Sequence, residues 1–172
     1  MKSQIRTYLE EIAEILDSLI GQKAIYSQAG GGNGSNLLQE YQNGDCIWSW
    51  CSYWEISQGD KLIANADDDI TALVGTVAVG AKMMEEKRLE GYYLGEDLTL
   101  GLKFEDDICY FIYPEKEEDE DASNWEITSK HLNVVYEVQH DLEIIKSPYY
   151  SSDPKAASEP PTASERREEL LD

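Results

Sequence analysis

Histidine, cysteine and basic side chains are scarce in this 172-residue sequence, and each scarcity removes a class of function. The two histidines, His131 and His140, stand nine apart, and the three cysteines, Cys46, Cys51 and Cys109, form no Cys-x-x-Cys pair. Neither set has the ligand spacing of a zinc site. An odd number of unpatterned cysteines fits thiols kept reduced inside a cell better than a disulfide framework. No apolar run approaches the roughly 18 residues that a membrane span requires. The opening segment 1–11 is charged where a secretory leader would be apolar. The expected location is the cytoplasm.

The shortage of bases is the largest departure from ordinary composition. Lys and Arg number 14 against 35 Asp and Glu, a formal net charge of −21. Such a field repels nucleic acid and anionic membranes, and it speeds encounter with basic proteins. Residues 148–172 hold six acids and three bases, so −18 belongs to residues 1–147. The acidity is a property of the domain and not of a tail.

Motifs for common chemistries are missing. The glycine run Ala29–Ser35 has no lysine after its last glycine, as a phosphate-cradling loop requires, and reads as a hairpin connection. The run Asp67–Asp69 lacks the alternating ligands of a calcium loop. No serine or cysteine stands in a nucleophile motif. With 35 acids some carboxylate pair always exists, so such a pair points to no glycosidase. The sequence assigns no enzymatic activity, metal or cofactor.

Periodicity supplies the fold class. Ile5, Leu9, Ile12, Leu16 and Leu19 recur at helical spacing, predicting an amphipathic helix over 3–20 stopped by Gly21. Strand patterns follow at 23–27, 36–41, 45–56 and 61–66. A second helix is expected near 69–86, capped by Asp67–Asp69. Strands return at 89–94, 98–104, 108–113, 125–128 and 132–138. After Pro148 the composition turns to Ser, Pro, Ala and Glu, predicting a disordered tail over 148–172 behind a single 1–147 domain. The expectation is an α+β fold: seven to nine antiparallel strands, as a sandwich or half-barrel, with the first helix packed on one face.

Two groups of residues stand out as candidate sites. The first is acidic: Glu115, Glu117, Glu118, Asp119, Glu120 and Asp121, together with Asp67, Asp68, Asp69, Asp106 and Asp107, forms the candidate surface for a basic partner. The second is aromatic. Two-residue alternation over 45–56 puts Trp48, Trp50 and Trp54 on one face. Either they line a pocket or stacking platform for a small molecule or glycan, or they belong to a central strand covered on both faces. The second reading is preferred, because the other face is apolar too.

The order of several segments adds a resemblance. The Gly34-Ser35 connection is followed by Cys51-Ser52-Tyr53-Trp54-Glu55-Ile56 and Ala64-Asn65-Ala66-Asp67-Asp68-Asp69. Then come Lys87-Arg88-Leu89-Glu90-Gly91, Asp97-Leu98-Thr99-Leu100 and Asn124-Trp125-Glu126-Ile127. Over residues 20–128 this order resembles a group of uncharacterised bacterial proteins, several encoded near secreted or contact-dependent toxins. The resemblance implies an antiparallel β-domain of immunity-protein type, for which no enzymatic activity is established and no functional residue is defined. The expected function is binding: an immunity or antitoxin-like inhibitor that neutralises a basic toxin by direct contact.

Overall fold

The computed structural model describes residues 2–30, 36–68, 76–117 and 122–150. The periodic segment at the start forms α1 (Lys2–Leu19). Its stripe Ile12, Ile15, Leu16 and Leu19 is buried, and full burial of such a side chain contributes about 1.5–3 kcal/mol. Gly21 has φ +82°, the left-handed conformation that ends a helix without a Cβ clash, as the sequence predicted.

Eleven described strands follow, in two antiparallel sheets. The six-stranded sheet contains β1 (Ala24–Gly30), β2 (Asn36–Tyr41), β3 (Cys46–Ser49), β9 (Ser123–Ser129), β10 (Val134–Gln139) and β11 (Ile144–Ser147), in the order β1-β2-β3-β9-β10-β11. The five-stranded sheet contains β4 (Tyr53–Gln58), β5 (Lys61–Asn65), β6 (Leu89–Leu94), β7 (Leu100–Phe104) and β8 (Ile108–Tyr113), in the order β5-β4-β8-β7-β6. The fold is α+β, as expected, and neither sheet closes into a barrel. The strand count exceeds the expected seven to nine, because one predicted strand is two and β11 was not anticipated.

One hydrophobic core lies between the sheets. Its large members include Trp54, Tyr110 and Phe104 from one sheet and Trp125, Tyr41 and Ile47 from the other. The helices fill the sides. The first does not lie on one sheet face as expected; it packs on β6 and β11, an edge strand of each sheet. The second, α2 (Thr76–Met84), packs on β1 and β5, the opposite edge strands, and also touches β4. A two-sheet core is open along its sides, and an amphipathic helix across both edges keeps water from it. The predicted helix over 69–86 is thus found over 76–84; residues 69–75, with the cap residue Asp69, lie outside the described residues. Gly80 of α2 sits against Ala64 and Ile56, where a Cβ would come within 3.2 Å of each.

The segment 45–56, read from the sequence as one strand, is two. Its first half is β3 and its second half is β4, in different sheets. The chain turns the corner at Trp50–Ser52 while still bonded to β9: the Trp50 and Cys51 amides donate to the Asn124 and Ser123 carbonyls at 2.9 and 3.2 Å. The hydroxyl of Ser52 also donates to the Asn124 carbonyl. The β8–β9 connection crosses between the sheets at the same place. Asn124, fully buried, bonds to the Glu115 amide and carbonyl and to the Gln139 carbonyl at 2.9–3.0 Å. One asparagine therefore ties both sheet crossings together.

Candidate partner-binding face

The sheet geometry divides the acidic residues that the sequence grouped. Asp67 and Asp68 follow β5, where β4 begins and β8 ends, and Glu115 comes two residues after the end of β8. Asp67 and Glu115 are exposed. Asp68 and Asp67 shape their own turn, the Asp68 carboxylate accepting from the Asn65 amide and the Asp67 amide donating to the Asn65 side chain. Among the described residues no ion pair involves Asp67, Asp68 or Glu115. Asp106 and Asp107 lie at the opposite end of the same sheet, in the β7–β8 turn, both with positive φ. They are already engaged: Asp106 pairs with Lys87, and Asp107 with Lys103 at 3.5 Å. Their carbonyls accept from the Gln58 side chain and the Gly59 amide, so they also lock neighbouring turns. Glu117 lies 3.7 Å from the buried ring of His140 and donates its amide to the His140 carbonyl. Asp69, Glu118, Asp119, Glu120 and Asp121 lie outside the described residues.

The tryptophans are divided too. Trp54 points into the core and meets Tyr110 edge-on, with ring centroids 6.0 Å apart. Trp48 and Trp50 stack on each other at 4.0 Å within a small separate cluster with Leu38, Tyr26 and Cys46. Trp48 is only 3% exposed. The corner after β3 resets the alternation, so the three rings share no face.

A different set of aromatics does share one. In β8, Ile108, Tyr110 and Ile112 are buried, which turns Phe111 and Tyr113 to the outer face of the five-stranded sheet. Trp54 and Ile56 are buried in β4, so Tyr53 and Glu55 face outward beside them. Gly101 of β7 separates Phe111 from Tyr93 of β6 in one cross-strand row. The ring of Phe111 occupies the space that a side chain at Gly101 would take: a Cβ there would come within 2.5 Å of it. Phe111 and Tyr113 stack at 6.0 Å, and Tyr53 lies 6.1 Å from Tyr113. Tyr93 is 55% exposed and Tyr113 38%.

This face is negatively charged at one end. The Tyr53 hydroxyl donates to Glu55 at 2.9 Å. That bond, followed by burial and by the charges of Glu55 and Asp67, pushes the Tyr53 phenol up to about 12. Burial and Glu55 raise Tyr113 as well. No local pattern in the sequence singles out this face. Its available signal was the outward phase of β8 together with a glycine at mid-strand in β7.

A cleft of about 460 Å³ opens between α1 and β10–β11, lined by Glu11, Glu14, Leu132, Tyr136 and Lys146 among others. Within it Glu11 accepts from Lys146 at 2.8 Å and from the Tyr136 hydroxyl. Those two bonds hold the Glu11 carboxyl below its usual range. Among the described residues no group of three or more His, Cys, Asp or Glu is arranged to hold a metal, and no helix is long and apolar enough to cross a membrane. No family model, curated protein or solved structure matches the chain.

Proposed function

We propose that this chain is a cytoplasmic binding domain that captures a basic protein, acting as an immunity or antitoxin-like inhibitor by contact and not by catalysis. One observation carries the reading: the domain's excess acidity is not neutralised from within. Residues 1–147 contain 29 acids and 11 bases, and seven of those bases already sit in ion pairs. A net −18 costs stability by self-repulsion, and a basic partner would relieve that repulsion on binding. Asp67, Asp68 and Glu115 concentrate part of the excess at one end of the five-stranded sheet, beside exposed aromatic rings. Aromatic anchors with complementary charge around them are the usual energetic centre of a protein interface. The order of segments over 20–128, which resembles immunity-type domains, agrees with this role. A pocket built from Trp48, Trp50 and Trp54 finds no support, since Trp54 belongs to the other sheet.

The test is affinity capture from a lysate of the organism that encodes the chain, at low and moderate salt, with bound proteins identified by mass spectrometry. One basic protein in stoichiometric amount, released as salt rises, is the expected result. Recovery of no stoichiometric partner while candidate toxins are expressed would overturn the proposal.

A further inference from the structure

The outer face of the five-stranded sheet combines two features. Both described helices pack at the sheet edges and against inward-facing residues, so neither covers this face. Large aromatics are nevertheless placed on it side by side, and two of them are substantially exposed. An exposed aromatic group of this kind marks an interaction surface, because a monomer gains stability by burying such rings. The charge on the face then selects what binds. Glu55 lies directly across from Phe111, and Asp67 follows β5 close enough to raise Tyr53. Of β4, β6, β7 and β8, the single basic residue is Lys103, towards the opposite end and paired with Asp107.

We infer that this face, formed by Tyr53, Phe111, Tyr113 and Tyr93 around Gly101 with Glu55 and Asp67 at its acidic end, is the docking surface for an arginine-bearing segment of the basic partner. The inference rests on the binding role proposed above and adds its location and side-chain chemistry. A guanidinium is planar, stays charged and is weakly hydrated, so it stacks on a phenol or phenyl face while its N–H fork bonds a carboxylate. Lysine offers a point charge with a tighter hydration shell and matches the rings less well. Acidic peptides and nucleic acid phosphates are repelled by the same carboxylates. Gly101 keeps the platform low: it lets Phe111 lie across β7, so an incoming side chain meets ring faces and not a ridge.

The test uses the full chain and two fluorescein-labelled peptides, an Arg-Gly repeat and the matching Lys-Gly repeat, followed by anisotropy at low salt. The chain should bind the arginine peptide several-fold tighter than the lysine peptide. Tyr93→Ser/Tyr113→Ser, which removes two exposed rings and no charge, should weaken arginine-peptide binding by roughly tenfold. Its melting temperature and circular dichroism show whether the fold survives. As a second readout that needs no variant, the ring protons of Tyr93, Phe111 and Tyr113 in the unaltered chain should shift on adding the arginine peptide. Equal binding of both peptides, unaffected by the double substitution and without ring shifts, would overturn this face and leave the broader acidic-binding role standing. Failure of the unaltered chain to bind either peptide would likewise overturn this face, while the binding role itself stands or falls with the affinity capture described above.

Discussion

Gly101 illustrates how a single residue without a side chain shapes a surface. A methyl group there would meet the Phe111 ring within 2.5 Å, so Gly101→Ala should destabilise the domain by about 1–3 kcal/mol in urea unfolding. Adding Phe111→Leu should recover part of that loss; no recovery would mean that the ring is not the obstacle. Asn124 is the corresponding polar case. Its side chain satisfies three part-buried backbone groups, the N–H and C=O of Glu115 and the C=O of Gln139, and leaving a buried group unmet costs about 1–3 kcal/mol. Asn124→Ala should therefore cost about 3 kcal/mol and speed amide exchange at Glu115, whose N–H it holds. Two pH limbs follow from named groups. Glu11 is held below its ordinary value of 4.5 by Lys146 and Tyr136, so its contribution is present above 4.5 and is lost as pH falls through the lower folded value. Glu11→Gln should flatten acid unfolding in that window. Tyr53 and Tyr92 are raised from 10.0 to about 12, Tyr53 first by its bond to Glu55 and Tyr92 first by burial. Their contribution is present below pH 10 and is lost between 10 and 12, and Tyr53→Phe should reduce the alkaline loss seen by circular dichroism.

At the scale of elements, α1 is the part on which the core most visibly depends. Leu16 is fully buried where the helix crosses the two sheet edges, so Leu16→Ala should cost about 2–5 kcal/mol in urea unfolding. A change under 1 kcal/mol, on the order of a surface substitution, would show that α1 is dispensable packing. This helix was legible in the sequence because its 3.6-residue stripe and Gly21 stop are local signals. The bounds of β2, β6 and β8 were legible for the same reason, since alternation and turn residues lie within each segment. The corner between β3 and β4 was not legible. Alternation says which residues share a face but not which sheet a strand joins, and Trp50–Ser52 contains neither glycine nor proline. The short edge strand β11 was not legible either: it has four residues, only Ile144 is buried, and Ile145 and Lys146 are exposed. The candidate site was legible only as composition. Acids and aromatics could be read off the chain, but Asp106–Asp107 and Asp67–Asp68 fall at opposite ends of one sheet. That separation depends on strand pairing between distant segments. The aromatic face needs the register of four strands spread over residues 53–113, which no local pattern contains.

For the whole molecule the controlling quantity is charge. Self-repulsion among 35 acids should make the melting temperature rise as salt is added from low ionic strength, and a flat response would show that the acids are too well separated to interact. Position should matter within that field. Asp67→Asn/Glu115→Gln, at the end beside Tyr53 and Tyr113, should slow partner association, whereas Asp106→Asn/Asp107→Asn, which removes the same two charges at the opposite end, should leave it nearly unchanged. Equal effects would mean that net charge alone acts. Association kinetics with the partner recovered by affinity capture therefore give the most direct test of the binding role. The account predicts an association rate that falls about tenfold or more between low and moderate ionic strength, while the dissociation rate changes little. An association rate independent of salt would contradict capture of a basic protein by an acidic face.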